Sequence, residues 1–110
     1  MREKDLVYRL MKKSMLLLNR ESYQLCMKSR RRDYKNVRRL VMRVLRNIGG
    51  WPLLKIGAAF EQHHTTIMNS LEQIDWEMRI YDNSGHLKSS YLILSEYYLS
   101  IGGEDERQNY

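Results

Sequence analysis

Between Tyr34 and Ile48 the apolar residues Tyr34, Val37, Leu40, Val41, Val44, Leu45 and Ile48 recur at intervals of three and four, and Lys35, Arg38, Arg39, Arg43 and Arg46 fill the other positions. At 3.6 residues per turn this spacing predicts a helix with one apolar side and a strongly cationic one. Such a helix must cover its apolar side with other elements, and the remainder of the chain offers helices for the purpose. No run of alternating β-branched residues and no Asn-Gly or Asp-Gly turn is present, and there is a single Pro in 110 residues, so strand signals are absent. Gly49-Gly50 marks the end of the helix, because glycine enters a left-handed cap without steric cost. Trp51-Pro52 opens the next segment, with Pro tolerated in a first turn and Trp51 expected as a core anchor.

The same periodicity predicts the neighbours. Residues 3 to 19 form a first helix with Leu6, Val7, Leu10, Met11, Ser14, Leu17 and Leu18 on one side. A shorter one over 21 to 29 buries either Leu25 and Cys26 or Tyr23 and Met27. From His64 to Tyr81 a long helix carries the stripe Ile67, Leu71, Ile74, Met78 and Tyr81, while Thr66, Asn69, Gln73 and Trp76 point elsewhere. Trp76 and Ile80 lie off that stripe and are expected to pack on a neighbour. After a break at Asn83-Ser84-Gly85, Leu87, Tyr91, Leu94, Tyr98 and Ile101 mark a closing helix. The expectation is an all-α helical bundle, a single domain over 1–101, followed by a disordered acidic tail over 102–110.

Charge is divided unevenly. Residues 1–50 hold 15 Lys and Arg against 4 Asp and Glu, whereas residues 51–110 hold 4 against 9. A cationic half is the footprint of a protein that approaches a polyanion with one face. The densest run, Arg30-Arg31-Arg32-Asp33, is either a solvated connector or a phosphate contact. The lone Cys26 leaves no internal disulfide and fits a reducing cytoplasm, as a small buried apolar residue. Met15-Leu16-Leu17-Leu18 is too short for a membrane span or signal core, so a cytoplasmic protein is expected.

The functional signal lies in Lys55-Ile56-Gly57-Ala58-Ala59-Phe60-Glu61-Gln62-His63-His64-Thr65-Thr66-Ile67-Met68. Ile56 and Phe60, four apart, suit a short helix, and the polar run Glu61-Gln62-His63 breaks the period before a second helix begins. That is a helix-turn-helix outline over about 53–81. In such a unit the N-terminal residues of the second helix meet base edges, which singles out His64, Thr65 and Thr66. Thr66 also admits a plain role as a solvated first-turn hydroxyl.

These residues resemble the C-terminal DNA-binding domain (domain IV) of the bacterial replication initiator DnaA. The family signature runs Ile-Gly-x-x-Phe, a Gly-Arg-Asp or Gly-Gly-Arg-Asp turn, His-Thr-Thr-Val, then a basic pair and Ile. Ile56-Gly57-Ala58-Ala59-Phe60, His64-Thr65-Thr66-Ile67 and Ile74 match it, and Arg38 falls at the family's minor-groove arginine. The resemblance, over residues 30 to 80, implies a DnaA C-terminal (Trp-repressor-like) fold and binding of double-stranded DNA. It implies base contacts from His64, Thr65 and Thr66, which with Arg38 keep the family's contact chemistry, and Gln62 and His63 of the turn are further candidate base contacts. Arg30, Arg31, Lys35, Arg38, Arg39 and Lys55 are the expected backbone or minor-groove contacts. The chain departs from the pattern at Gln62 for Arg, His63 for Asp, and Glu72-Gln73 for the basic pair.

Other chemistry fits poorly. Neither His-Glu-x-x-His nor convergent carboxylates are present, and His63 and His64 diverge by about 100° on a helix, so neither catalysis nor a metal is expected. No Gly is followed by Lys-Ser or Lys-Thr, so no nucleotide or other cofactor is implied. A membrane-surface helix would need a free apolar face, which residues 34–48 spend on the core. The expected partner is duplex DNA, bound by a monomer in initiation, regulation, or plasmid or phage replication. The alternative is a protein-interaction module on the same fold, suggested by Glu61 and Glu72 near the DNA-facing side.

Overall fold

A computed structural model describes residues 2–18, 30–82 and 85–108, with side chains for all of these except 30–34 and 102–108. The helix expected over 21–29, with Cys26, lies outside the described residues. Five helices and no strand are present among them: α1 (Glu3–Leu18), α2 (Arg30–Asn47), α3 (Leu53–Phe60), α4 (His64–Trp76) and α5 (His86–Gln108). All-α architecture with a helix-turn-helix is therefore what the periodicity implies and what the fold contains.

The strongly amphipathic α2 is the pillar, touching each of the other four helices. Val37, Leu40, Val41, Val44 and Leu45 are buried as the spacing requires, and Met42 is buried as well. A helix enclosed on several sides buries a wider arc than one stripe, which is why Met42 escapes a single-face expectation. Ile48, expected in the core, is exposed instead, because α2 ends at Asn47 and the chain turns away there. Where α1 crosses α2, Leu10 and Ser14 are buried, and the Ser14 hydroxyl donates to the Val37 carbonyl at 3.0 Å. A small residue lets the helices approach, and its hydroxyl has a partner rather than a desolvation penalty of about 1–3 kcal/mol.

Gly50, at φ +66°, makes the left-handed turn after α2. The Trp51 amide then donates to the Leu45 carbonyl at 3.0 Å, Arg46 donates to the Trp51 carbonyl at 3.0 Å, and the indole is buried. Pro52 precedes α3, and its carbonyl accepts from the amides of Lys55 and Ile56.

α4 buries Ile67, Leu71 and Ile74, with Met78 packed at the core's edge. Beyond Trp76 the backbone switches to a π-helical turn, Glu77–Tyr81. Bonding from i to i+5 slows the angular advance per residue, so an α-helical stripe extrapolated through it misplaces its end. Tyr81, expected in the stripe, is 68% exposed, and Trp76 and Ile80, expected against a neighbour, are 52% and 49% exposed. The Asp82 carboxylate accepts from the amides of Leu87 and Lys88, satisfying the open first turn of α5. Leu94 and Tyr98 of α5 close the core. The helix runs on to Gln108. A glycine costs a helix about 1 kcal/mol and does not by itself end one.

Candidate nucleic-acid interface

The turn between α3 and α4 is built on a close backbone approach. The Gln62 amide donates to the Gly57 carbonyl at 2.9 Å, and a Cβ on Gly57 would lie 2.5 Å from the Gln62 carbonyl oxygen. Only glycine leaves room for this crossing. Glu61 takes the left-handed conformation, φ 55° and ψ 44°, at a cost of about 1–2 kcal/mol for a residue with a Cβ.

His63 caps α4, its Nδ1 accepting from the Thr65 amide at 3.2 Å with the Thr65 hydroxyl 3.1 Å away. A ring nitrogen that accepts is unprotonated, which places the proton of a neutral ring on Nε2. The rings of His63 and His64 lie 4.2 Å apart between centroids. His63, Thr65 and Thr66 are exposed and His64 is half-buried.

Beside this turn lies a depression of about 280 Å³ between α2 and α4. Lys35, Arg38, Arg39 and Met42 form its α2 wall, facing Gln62, Thr66, Asn69, Ser70 and Gln73. Three cations meet five hydrogen-bonding side chains, and no acid among the described side chains lines it. Glu61 and Glu72, the two carboxylates expected to repel phosphate, are exposed but outside that lining. The Gln62 Oε1 is enclosed and has no hydrogen-bond partner. Asn69, Ser70 and Gln73 were not among the sequence-derived contacts; their polarity at helical spacing beside Thr66 was the available signal.

Two further cations make contacts away from the depression. Lys55 does not join the cluster: its ammonium pairs with Glu3 at 2.9 Å and lies 4.1 Å from the centre of the Trp51 ring. Arg43, assigned by periodicity to the cationic face, instead ties α2 to α4. It donates to the Asp75 carboxylate, to the Leu71 carbonyl at 3.2 Å and to Asn47 at 3.2 Å. Burial lowers the Arg43 pKa from its ordinary value, with Tyr91 acting the other way and Arg46 adding to the fall. Arg30 and Arg31 fall on the α2 backbone, but their side chains lie outside the described residues.

A family model described as the bacterial dnaA protein helix-turn-helix matches residues 18–74. The chain belongs to that family. The match takes in α2, α3 and nearly all of α4, and leaves almost all of α1 and the whole of α5 outside. The DnaA helix-turn-helix is a double-stranded DNA-binding unit of replication initiation, not a catalytic one. No curated protein and no solved structure matches the chain. No group of His, Cys, Asp or Glu among the described residues is arranged to hold a metal, and no helix there is long and apolar enough to cross a membrane.

Proposed function

We propose that this DnaA-type domain binds duplex DNA with sequence preference, inserting the start of α4 into the major groove. The observation that carries this is the depression where Lys35, Arg38 and Arg39 stand beside the helix-turn-helix, with no acid among its described lining residues. Cations there hold phosphates, with Arg30 and Arg31 extending the series along α2 and Arg38 entering the minor groove or following the backbone. His64, Thr65 and Thr66 read bases, assisted by Gln62 and by His63. Lys55 is left out of the phosphate set, since Glu3 and Trp51 already engage it.

The test is a pair of salt titrations, on a site selected from random duplex DNA and on scrambled DNA. His64→Ala and Thr65→Ala should each weaken the selected site by roughly 1–3 kcal/mol and leave the scrambled DNA and the salt slope nearly unchanged. Loss of affinity that is equal on both DNAs would remove the start of α4 as the reading head.

A further inference from the structure

We infer that α4 reads bases along its length and not only at its first turn, with Asn69 and Gln73 as specificity-determining residues that recognise adenine. The inference rests on the proposal that this face meets DNA. Thr66, Asn69, Ser70 and Gln73 fall at i, i+3, i+4 and i+7 of α4, and all four line the depression. This is the spacing with which a helix lying along the major groove presents side chains to successive base pairs, as in the homeodomain. A tilted helix that touches DNA only by its tip would leave the third turn out of reach.

From Thr66 to Gln73 the axial rise is about 10.5 Å, at 1.5 Å per residue. Stacked base pairs are about 3.4 Å apart, so the stripe spans about three steps.

Side-chain chemistry selects the base. The amides of Asn and Gln each offer one donor and one acceptor side by side, which matches adenine N7 and N6 in a bidentate pair; guanine N7 and O6 are both acceptors and fit Arg or Lys instead. Asn69 and Gln73 are exposed and therefore lose no core contact on turning to a base. Cations stand on the opposite wall of the depression, so the phosphate-holding groups and the amides share one surface. Glu72, about 100° round the helix from Gln73, stays outside the lining and does not set its charge.

The experiment is selection of bound sequences from random duplex DNA by the full chain and by Asn69→Ala and Gln73→Ala. Fluorescence anisotropy then follows on the selected site with 7-deazaadenine at each candidate adenine, since this base lacks the N7 acceptor. The full chain should select two adenine positions within about three base steps, one relaxed by each variant. Removing N7 should weaken the full chain roughly 5- to 150-fold, the equivalent of about 1–3 kcal/mol, and should not weaken the matching variant further. Melting temperatures should stay unchanged, which excludes loss of the fold as the cause. If the full chain selects a site and both variants keep its preferences, the extended reading is overturned while DNA binding by the first turn stands. If the full chain selects no site, sequence-preferring binding fails with it.

Discussion

At the residue scale, Glu61 stands where the family turn has glycine, and the backbone shows what that substitution costs. Its φ of 55° lies in the left-handed region, and its side chain is exposed. Replacement by glycine removes the Cβ clash at that position, and the larger unfolded-state entropy of glycine takes back part of the gain. Glu61→Gly should therefore raise stability by up to ~1 kcal/mol, seen as a higher urea midpoint at constant slope. A fall in the midpoint would mean that the turn is not strained at this residue. Glu72→Lys tests charge on α4 in the same way. An exposed swap changes stability by within ~0.5 kcal/mol, so a gain in affinity for duplex DNA would place this side of α4 near phosphate, and no gain would place it away.

At the element scale, two contacts set how α4 is held. One is the crossing at Gly57, where the extra methyl of an alanine meets a backbone carbonyl that cannot rotate away. Gly57→Ala gains about 1 kcal/mol of helix propensity but forces an overpacked turn to shift, at about 1–3 kcal/mol. The expected outcome is net destabilisation together with lost site preference. The other is the strut from Arg43 to Asp75 and Leu71. The Arg43 side chain is 14% exposed and that of Asp75 46%, so the pair lies between an exposed pair worth at most about 1 kcal/mol and a buried one that costs 3–5 to break. Asp75→Ala should cost about 1–3 kcal/mol, and a double-mutant cycle with Arg43→Met should return a coupling above about 0.5 kcal/mol. A coupling of zero would reduce the strut to a surface contact.

The same elements show what the sequence makes legible. The α2 stripe, its Gly49-Gly50 stop and the short α3 follow from local rules, whereas the cap at His63 does not, because His is not among the residues that favour that position. Arg43 could not be separated from Arg38 and Arg39, since periodicity puts all three off the core and only the position of α4 decides which meets a carboxylate. Lys55 finds Glu3 from far along the chain, and no motif announces that. Tyr81 was misplaced because a π-turn changes the phase of an otherwise regular stripe.

At the scale of the whole molecule, the distribution of charge matters more than its sum of +6. Two separate surfaces among the described residues carry cations that allow the comparison. Lys35, Arg38 and Arg39 stand at the depression beside α4. Lys4 and Lys12 line a groove of about 890 Å³ between α1 and α3, which shares no residue with that depression, and Lys12 lies 5.6 Å from the centre of the Tyr8 ring. If DNA were held only by overall positive charge, removing any two cations would have the same effect. If it docks on α2 and α4, only cations that displace condensed counterions count, each contributing about 0.9 to the log–log slope of affinity against salt. The double variant Arg38→Ala, Arg39→Ala should therefore lower that slope by about 1.8, and Lys4→Ala, Lys12→Ala should leave it nearly unchanged, because cations that neutralise no phosphate release no condensed counterions. Titrations from low to moderate salt on one duplex, for the full chain and both double variants, make the comparison directly. Equal losses of slope in the two variants would mean that DNA is held diffusely, and the docking of α4 in the groove would lose its electrostatic support.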